Sequence, residues 1–297
     1  MTVEVLDGGL QTSVQDVDGR AGWRHLGVPV GGAADPWSAR LANRLAGNAD
    51  DAALLELTLI GPTLRFAEPA TVALVGRMEA TIDGLPMPSS EARILRAGSI
   101  LRIDEGGDAR AWLAIRGGVD VPVVLGSRAT DLRSRFGGLE GRALRIGDTL
   151  AIAQSAAAGT GGRWLGVWPD GLIRITDGPH ADVGTRDALV GGRWTVSADS
   201  DRTGVRLDGP PVTGGGEVRS MGLPLGAIQL PPDGRPIVTG VDRPVTGGYR
   251  VPAVVAYADI GRLARLRPGD AVRFAHVPVT AARRAIEELE RELSRIG

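Results

Sequence analysis

Apolar residues in this chain recur in short runs. Those at 71–75, 99–103, 111–115, 121–125, 172–176, 237–239 and 251–257 are often β-branched and bounded by Gly, Pro or Asp. That pattern predicts strands joined by tight turns, as in sandwiches and barrels. Two stretches carry a helical period instead. In "ADPWSARLANRLAGN", Asp35 suits the N-cap, Pro36 the first helical position and Gly47 the left-handed stop, while Trp37, Leu41 and Leu45 line one face. At the C-terminus, "TAARRAIEELERELSRIG" places Ile286, Leu289, Leu293 and Ile296 at alternating spacings of three and four. This predicts an amphipathic helix, with Glu287 and Arg291 able to pair across one turn.

The pattern repeats along the chain. "RAGSILRI" (96–103), "RIGDTLAI" (145–152) and "RPGDAVRF" (267–274) share a turn feeding a strand. "ATIDGLPM" (80–87) matches "VRLDGPPV" (205–212), and "DVPVVL" (120–125) matches "RVPAVV" (250–255), in the same order in both halves. The reading is two related β domains, 1–155 and 165–276, divided within the small-residue stretch 153–164, with a C-terminal helix over 277–297.

Composition narrows the chemistry. The 297 residues carry 34 basic and 35 acidic side chains, for a net charge of −1, so no basic field invites nucleic acid. No apolar run reaches membrane-spanning length, and "MTVEVLDGGLQTSVQD" lacks the basic and apolar regions of a signal peptide. The chain has no Cys, which removes disulfides, zinc–thiolate sites and Cys nucleophiles and fits a cytoplasmic protein. Every basic residue is Arg and none is Lys. That excludes a Walker A lysine, a Schiff base and a biotinyl-lysine, and leaves anions to Arg forks or backbone N–H groups. His25, His180 and His276 are the three histidines, and no two lie at metal-ligand spacing, so no metal site is expected.

Several polar clusters stand out against the β pattern. "GRAGWRHLGVPVGGAAD" (19–35) places Arg20, Arg24, His25 and Asp35 among glycines just before a helix, an arrangement suited to an anion or to simple capping. "GSRATDLRSRFGG" (126–138) holds Arg128, Asp131, Arg133 and Arg135, and the second half has no counterpart of it. "DSDRTGVRLDGP" (199–210) offers Asp201 and Arg202, a potential local pair. In "GAIQLPPDGRPIVTGVDRPVTGGYR" (226–250), Gln229 interrupts an apolar strand, Asp242 and Arg243 follow a strand, and Tyr249 follows two glycines. A buried amide needs partners, from a neighbouring backbone or from a ligand. "TGGGE" (213–217) lacks the helix of a phosphate loop and reads as a turn.

Together, "LQTSVQDVDGRAGWRHLGVPVGGAADPWSARLANRLAGN", "ELTLIGPTLRF", "RGGVDVPVVLGSRATDLRSRFGGLEGRAL", "SDRTGVRLDGP" and "GAIQLPPDGRPIVTGVDRPVTGGY" resemble the biotin-dependent carboxyltransferase, or allophanate hydrolase subunit 2, family. The resemblance runs in order over nearly the whole chain. It implies a mainly β fold of two cyclophilin-like β-barrels with a few short helices. It also implies a partner of the allophanate hydrolase subunit 1 type (the B component), a third hydrolase-like subunit, and a small-molecule substrate. The expected activity is that of the C component of a 5-oxoprolinase: ATP-dependent opening of 5-oxo-L-proline to L-glutamate, with ATP acting at the level of the complex. Two alternatives follow from the same family. One is carboxyl transfer from a biotin carried elsewhere to a urea-like acceptor; the other is a non-catalytic antagonist of a kinase inhibitor. The motif matches nominate Gln229, Asp242, Arg243 and Tyr249 as catalytic and Arg20, His25, Arg128 and Asp131 as substrate-binding. In that scheme Gln229 and Tyr249 orient an amide or ureido group, Arg243 and Arg128 hold a carboxylate or phosphate, and Asp242 moves a proton or orients Arg243. The chain departs from the family at Arg77 and Met78 after Gly76, and at Arg250, where many members have proline after Gly-Gly-Tyr.

Overall fold

The computed structural model describes residues 1–154, 162–166 and 171–296. The chain is mainly β, with four α-helices among the described residues: α1 (Pro36–Ala46), α2 (Val183–Gly191), α3 (Ile260–Arg265) and α4 (Val279–Leu293). It divides into two compact units. The first comprises Met1–Ala21, Gly31–Val167 and Glu292–Gly297, and the second Gly22–Val30 and Trp168–Arg291. Most of the small-residue stretch read as a divider, 155–161, lies outside the described residues.

The first unit holds two antiparallel sheets. One runs Thr149–Ala151, Thr2–Asp7, Thr63–Phe66, Ile100–Gly106, Met78–Ile82, Leu85–Pro86; the other runs Gln11–Gln15, Leu54–Thr58, Arg110–Ile115, Ala70–Val75, Ala92–Leu95. Val3, Val5, Leu55, Leu57, Val72, Leu74, Leu101 and Leu113 meet in one core cluster. Helix α1 covers the other face of Arg110–Ile115 and Ala70–Val75, which is why both strands are buried at every position. The helix starts and stops as its sequence predicts. Asp35 accepts from the Ser38 N–H at 3.1 Å, and Gly47 ends it at φ 79°.

In the second unit a nine-stranded sheet runs Ala271–Val272, Trp194–Val196, Gly204–Asp208, Ile237–Thr239, Ala227–Leu230, Thr246–Val255, Ile173–Asp177, Phe274–His276, with Glu217–Gly222 pairing Thr246–Val255 off that path. Its first and last strands are neighbours in sequence, so the sheet wraps into a nearly closed barrel. Trp194, Ile175, Ile228, Leu230, Val238 and Phe274 fill it.

The three Arg-x-Gly repeats share one turn. Ser99, Asp148 and Asp270 donate their N–H groups to the carbonyls of Arg96, Arg145 and Arg267 at 3.1, 3.2 and 3.0 Å. The central Gly98, Gly147 and Gly269 sit at φ 82°, 87° and 89°, a conformation open to glycine at no steric cost. The run 121–125, read as a strand, is a loop. Pro122 removes a ladder donor, Leu125 turns at φ 54°, and the backbone makes an isolated bridge between Val124 and Ser127. Its counterpart at 250–255 lies inside the strand Thr246–Val255, while the end of the 251–257 run turns into a short 3-10 helix, Tyr257–Asp259. Asp83 and Gly84 form a tight hairpin, at φ 52° and 81°. At 208–209 no such hairpin forms, and Gly209 packs on Trp194.

Candidate functional site

The polar loop at 19–35 is split between the two units. Arg20, on the first, is 1% exposed. Its Nη2 donates to the Ala129 carbonyl, and its guanidinium lies 4.4 Å above the Phe136 ring. A Cβ on Gly137 would fall 2.0 Å from that Nη2. Arg20 therefore clamps the loop 126–138 rather than facing a substrate. Asp131 belongs to the same clamp. It is buried, accepts from the Ser134 N–H at 2.8 Å and exchanges backbone hydrogen bonds with Phe136. Arg128 gives its Nε to the Val121 carbonyl at 3.1 Å and its N–H to Asp16 at 2.7 Å. Arg133 and Arg135 stand exposed on the same loop.

The second unit collects the remaining candidates. On the strand Ala227–Leu230, Ile228 and Leu230 point into the barrel core. Strand alternation turns Gln229 to the opposite face, so it does not interrupt the core as the sequence suggested. That face is covered, because Leu223 and Gly247 pack over it and leave Gln229 8% exposed. A Cβ on Gly247 would fall 2.7 Å from Gln229 Nε2 and 2.6 Å from Leu223 Cδ1. The Gln229 amide makes no hydrogen bond among the described residues. Its cross-strand neighbour Ile237 lines a cavity of about 330 Å³ together with Tyr249, Asp199, Arg206, Asp208 and Arg235.

Asp242 does not orient Arg243. It takes Arg202 in a two-pronged pair, Nε to Oδ2 at 2.8 Å and Nη2 to Oδ1 at 3.1 Å. Asp201, read as a local partner of Arg202, instead caps its own turn by accepting from the Thr203 and Gly204 N–H groups at 2.7 and 3.1 Å. Arg243 is 8% exposed and gives Nε to the Leu223 carbonyl at 3.0 Å and Nη1 to the Gly240 carbonyl at 3.3 Å. Beside it stands Arg24, from the 3-10 turn Arg24–Leu26. Arg24 donates Nη2 to the same Leu223 carbonyl at 2.8 Å and to that of Val245 at 3.0 Å. Burial, and then the charge of Arg24, lower the Arg243 pKa to about 10. The sequence placed Arg24 in a candidate cluster, but nothing in it marked Arg24 as a companion of Arg243, far along the chain. His25 is exposed; its Nδ1 lies 2.9 Å from the Gly22 carbonyl and its ring stacks on Trp23 at 6.5 Å.

The two departures from the family pattern serve structure. Arg77 grips Asp108 through its backbone N–H at 2.8 Å and its Nε at 2.9 Å. Arg250 donates to the Gly214 and His180 carbonyls and to Asp182, the N-cap of α2. His180 in turn accepts from the Val251 N–H at Nδ1, 3.0 Å away. The glycine turn 213–217 is thereby tied down, with the Gly216 N–H given to the Leu230 carbonyl. His276, at the surface, lies 3.0 Å from Asp177.

Residues 26–276 match the carboxyltransferase domain, subdomain A and B. The chain belongs to this family. It is 35% identical to the C component of the Escherichia coli 5-oxoprolinase over 305 residues, covering 99% of this chain and 97% of that protein. It is 33% identical to the urea amidolyase of Lachancea kluyveri, covering 97% of this chain but 18% of that much longer protein. The crystal structure of the K. lactis urea amidolyase superposes with a TM-score of 0.90 at 32% identity, over 100% of this chain and 20% of that one. Family membership agrees with the mainly β architecture read from the sequence.

Proposed function

We propose that this carboxyltransferase-family chain is the C component of a 5-oxoprolinase, working with a B component and a third, hydrolase-like subunit to open 5-oxo-L-proline to L-glutamate. The observation that carries the reading is the amide of Gln229, a side chain held in a residue only 8% exposed and without a hydrogen-bond partner among the described residues. Bonded to nothing in the fold, the amide is available to a ligand amide that presents the complementary N–H and C=O. A lactam presents both on adjacent atoms. The near end-to-end match with the Escherichia coli protein supports the same reading.

In this reading Gln229 orients the lactam, and Gly247 holds the amide in place because no side chain fits there. Ring opening needs the lactam carbonyl activated, since an amide is a poor electrophile; ATP supplies that activation when bound to the complex. The glycine turn 213–217 does not suit a nucleotide. The Gly214 carbonyl and the Gly216 N–H are already bonded within the fold. The reading asks for ATP at the level of the complex. The chain has no lysine, so any biotin it meets is carried by another protein.

A second reading, carboxyl transfer to a urea-like acceptor, is favoured by the urea amidolyase relatives. The same Gln229 amide would then orient a ureido group. Reconstitution separates the two. With all three components present, ATP-dependent glutamate formation from 5-oxoproline should appear, and should vanish when this chain is omitted. A well-formed complex that leaves 5-oxoproline intact but carboxylates urea would replace the first reading with the second. Binding of partners without either turnover would point to the antagonist role.

A further inference from the structure

Several buried or half-buried arginines in this chain are matched with carboxylates. Arg202 pairs with Asp242, Arg174 with Asp259, Arg142 with Asp148 and Arg44 with Asp50, each at 2.6–2.8 Å. Arg24 and Arg243 are arranged differently. Both guanidiniums converge on one backbone oxygen, that of Leu223, and neither meets an acidic side chain among the described residues. A guanidinium carries five N–H donors. The Nε and Nη1 groups of Arg24 and the Nη2 group of Arg243 are left without a protein acceptor among those residues. Two like charges at one carbonyl repel each other, and burial sharpens that repulsion. Burial first, and that repulsion second, draw the Arg243 pKa down to about 10. Selection for packing alone would favour an apolar residue or a carboxylate partner at this place.

We propose that Arg24 and Arg243 form a seat for the carboxylate of a small acid, making this chain select an anionic acceptor over a neutral one. Planar forks suit a carboxylate, which can accept from both at once. Half-buried Arg24 forms the rim of the seat and buried Arg243 its floor. The seat adjoins the amide site, because Leu223, whose carbonyl both arginines hold, also packs on the Gly247 that backs Gln229. A lactam acid carries its carboxylate one carbon from the ring nitrogen, so one small molecule can answer both groups. The inference rests on the 5-oxoprolinase reading for the identity of that acid, and not for the existence of the seat.

Calorimetric titration of the full chain tests it, using 5-oxo-L-proline, its uncharged analogue 2-pyrrolidinone, acetate and inorganic phosphate. The carboxylate should strengthen lactam binding by about 10- to 100-fold, the worth of hydrogen bonds to a charged group. Arg24→Gln, on the half-buried rim, should erase that difference while the circular dichroism spectrum stays that of the folded chain, and Arg243→Lys should weaken it. The exposed control Arg283→Gln should do neither. Equal affinity for 5-oxoproline and 2-pyrrolidinone would overturn the proposal, as would phosphate binding more tightly than either carboxylate. If the complex fails to turn over 5-oxoproline but acetate binds the chain in an Arg24-dependent way, the functional reading falls and the seat stands. If Arg24→Gln leaves the KM for 5-oxoproline unchanged in an active complex, the seat falls and the functional reading stands.

Discussion

Asp242 is held by Arg202, not by its sequence neighbour Arg243. Two hydrogen bonds of 2.8 and 3.1 Å join the pair across 40 positions of sequence, with both side chains largely buried. Removing one member strands the other charge. Arg202→Ala should therefore destabilise the second unit by about 3–5 kcal/mol, as for other broken buried pairs. Replacing both, as Arg202→Met with Asp242→Leu, should recover most of that loss in urea unfolding. Additive losses in the double variant would show that the two do not act as a pair.

The Gln229 amide separates stability from function. Gln229→Met removes a polar group that bonds nothing within the fold while keeping the side chain's length, so the chain should hold its stability to within about 0.5 kcal/mol. Turnover in the reconstituted complex should nonetheless fall by about tenfold or more, the worth of one lost hydrogen bond. A clear loss of stability would mean that the amide is bonded within the fold, and the ligand role would be lost with it. Gly247→Ala provides an independent check, since its Cβ would sit 2.7 Å from Nε2 and should lower turnover by displacing the amide.

Arg243 makes alkaline pH informative. Burial first, and the charge of Arg24 second, lower its pKa from the usual arginine range to about 10. The folded state thus holds the Arg243 proton less tightly than the unfolded chain does. Above about pH 10 the unfolded state binds more protons, so this group adds stability as pH rises further, and it disfavours folding below that value. Carboxylate affinity should run the opposite way and fall as pH passes about 10, where the seat loses a charge. Binding of 5-oxoproline measured about one pH unit to either side of that value should show the fall. A flat profile would indicate that Arg243 does not contact the ligand.

Gly137 marks the other clamp. It sits at φ 70°, with Arg20 Nη2 and the Ala129 carbonyl within 2.2 Å of any Cβ. Gly137→Ala combines a left-handed conformation with overpacking, and should cost about 2–4 kcal/mol in thermal unfolding. Arg20→Gln should also destabilise the first unit, because Arg20 holds the Ala129 carbonyl and covers Phe136.

Local signals in the sequence carried the fold furthest. Asp35, Pro36 and Gly47 bounded α1 because caps act over three or four residues, and the three Arg-x-Gly turns were visible because glycine alone enters that conformation freely. The strand expected at 121–125 failed because its apolar residues outweighed one proline in the pattern, whereas in the fold the missing donor decided the matter. Helix α2 was missed, since Val183–Gly191 buries Thr185 and Leu189 and little else, so it has almost no apolar stripe to read. The site was partly legible. Gln229 stood out as a polar group in apolar surroundings, and Arg243 as a charge at the end of a strand. Arg20 drew attention in a glycine-rich polar cluster yet belongs to a structural clamp, and sequence cannot tell a clamp from a ligand contact. The partnership of Arg24 with Arg243 depends on how the loop 22–30 joins the second unit, a tertiary fact with no local trace.

The closure of the second sheet also orders events in time. Its two terminal strands, Ala271–Val272 and Phe274–His276, are made last, and the strand Ile173–Asp177 must wait for a parallel neighbour from the far end of the unit. During synthesis the growing barrel carries an unpaired edge until its final strands leave the ribosome. That open edge is where the folding barrel is exposed to aggregation.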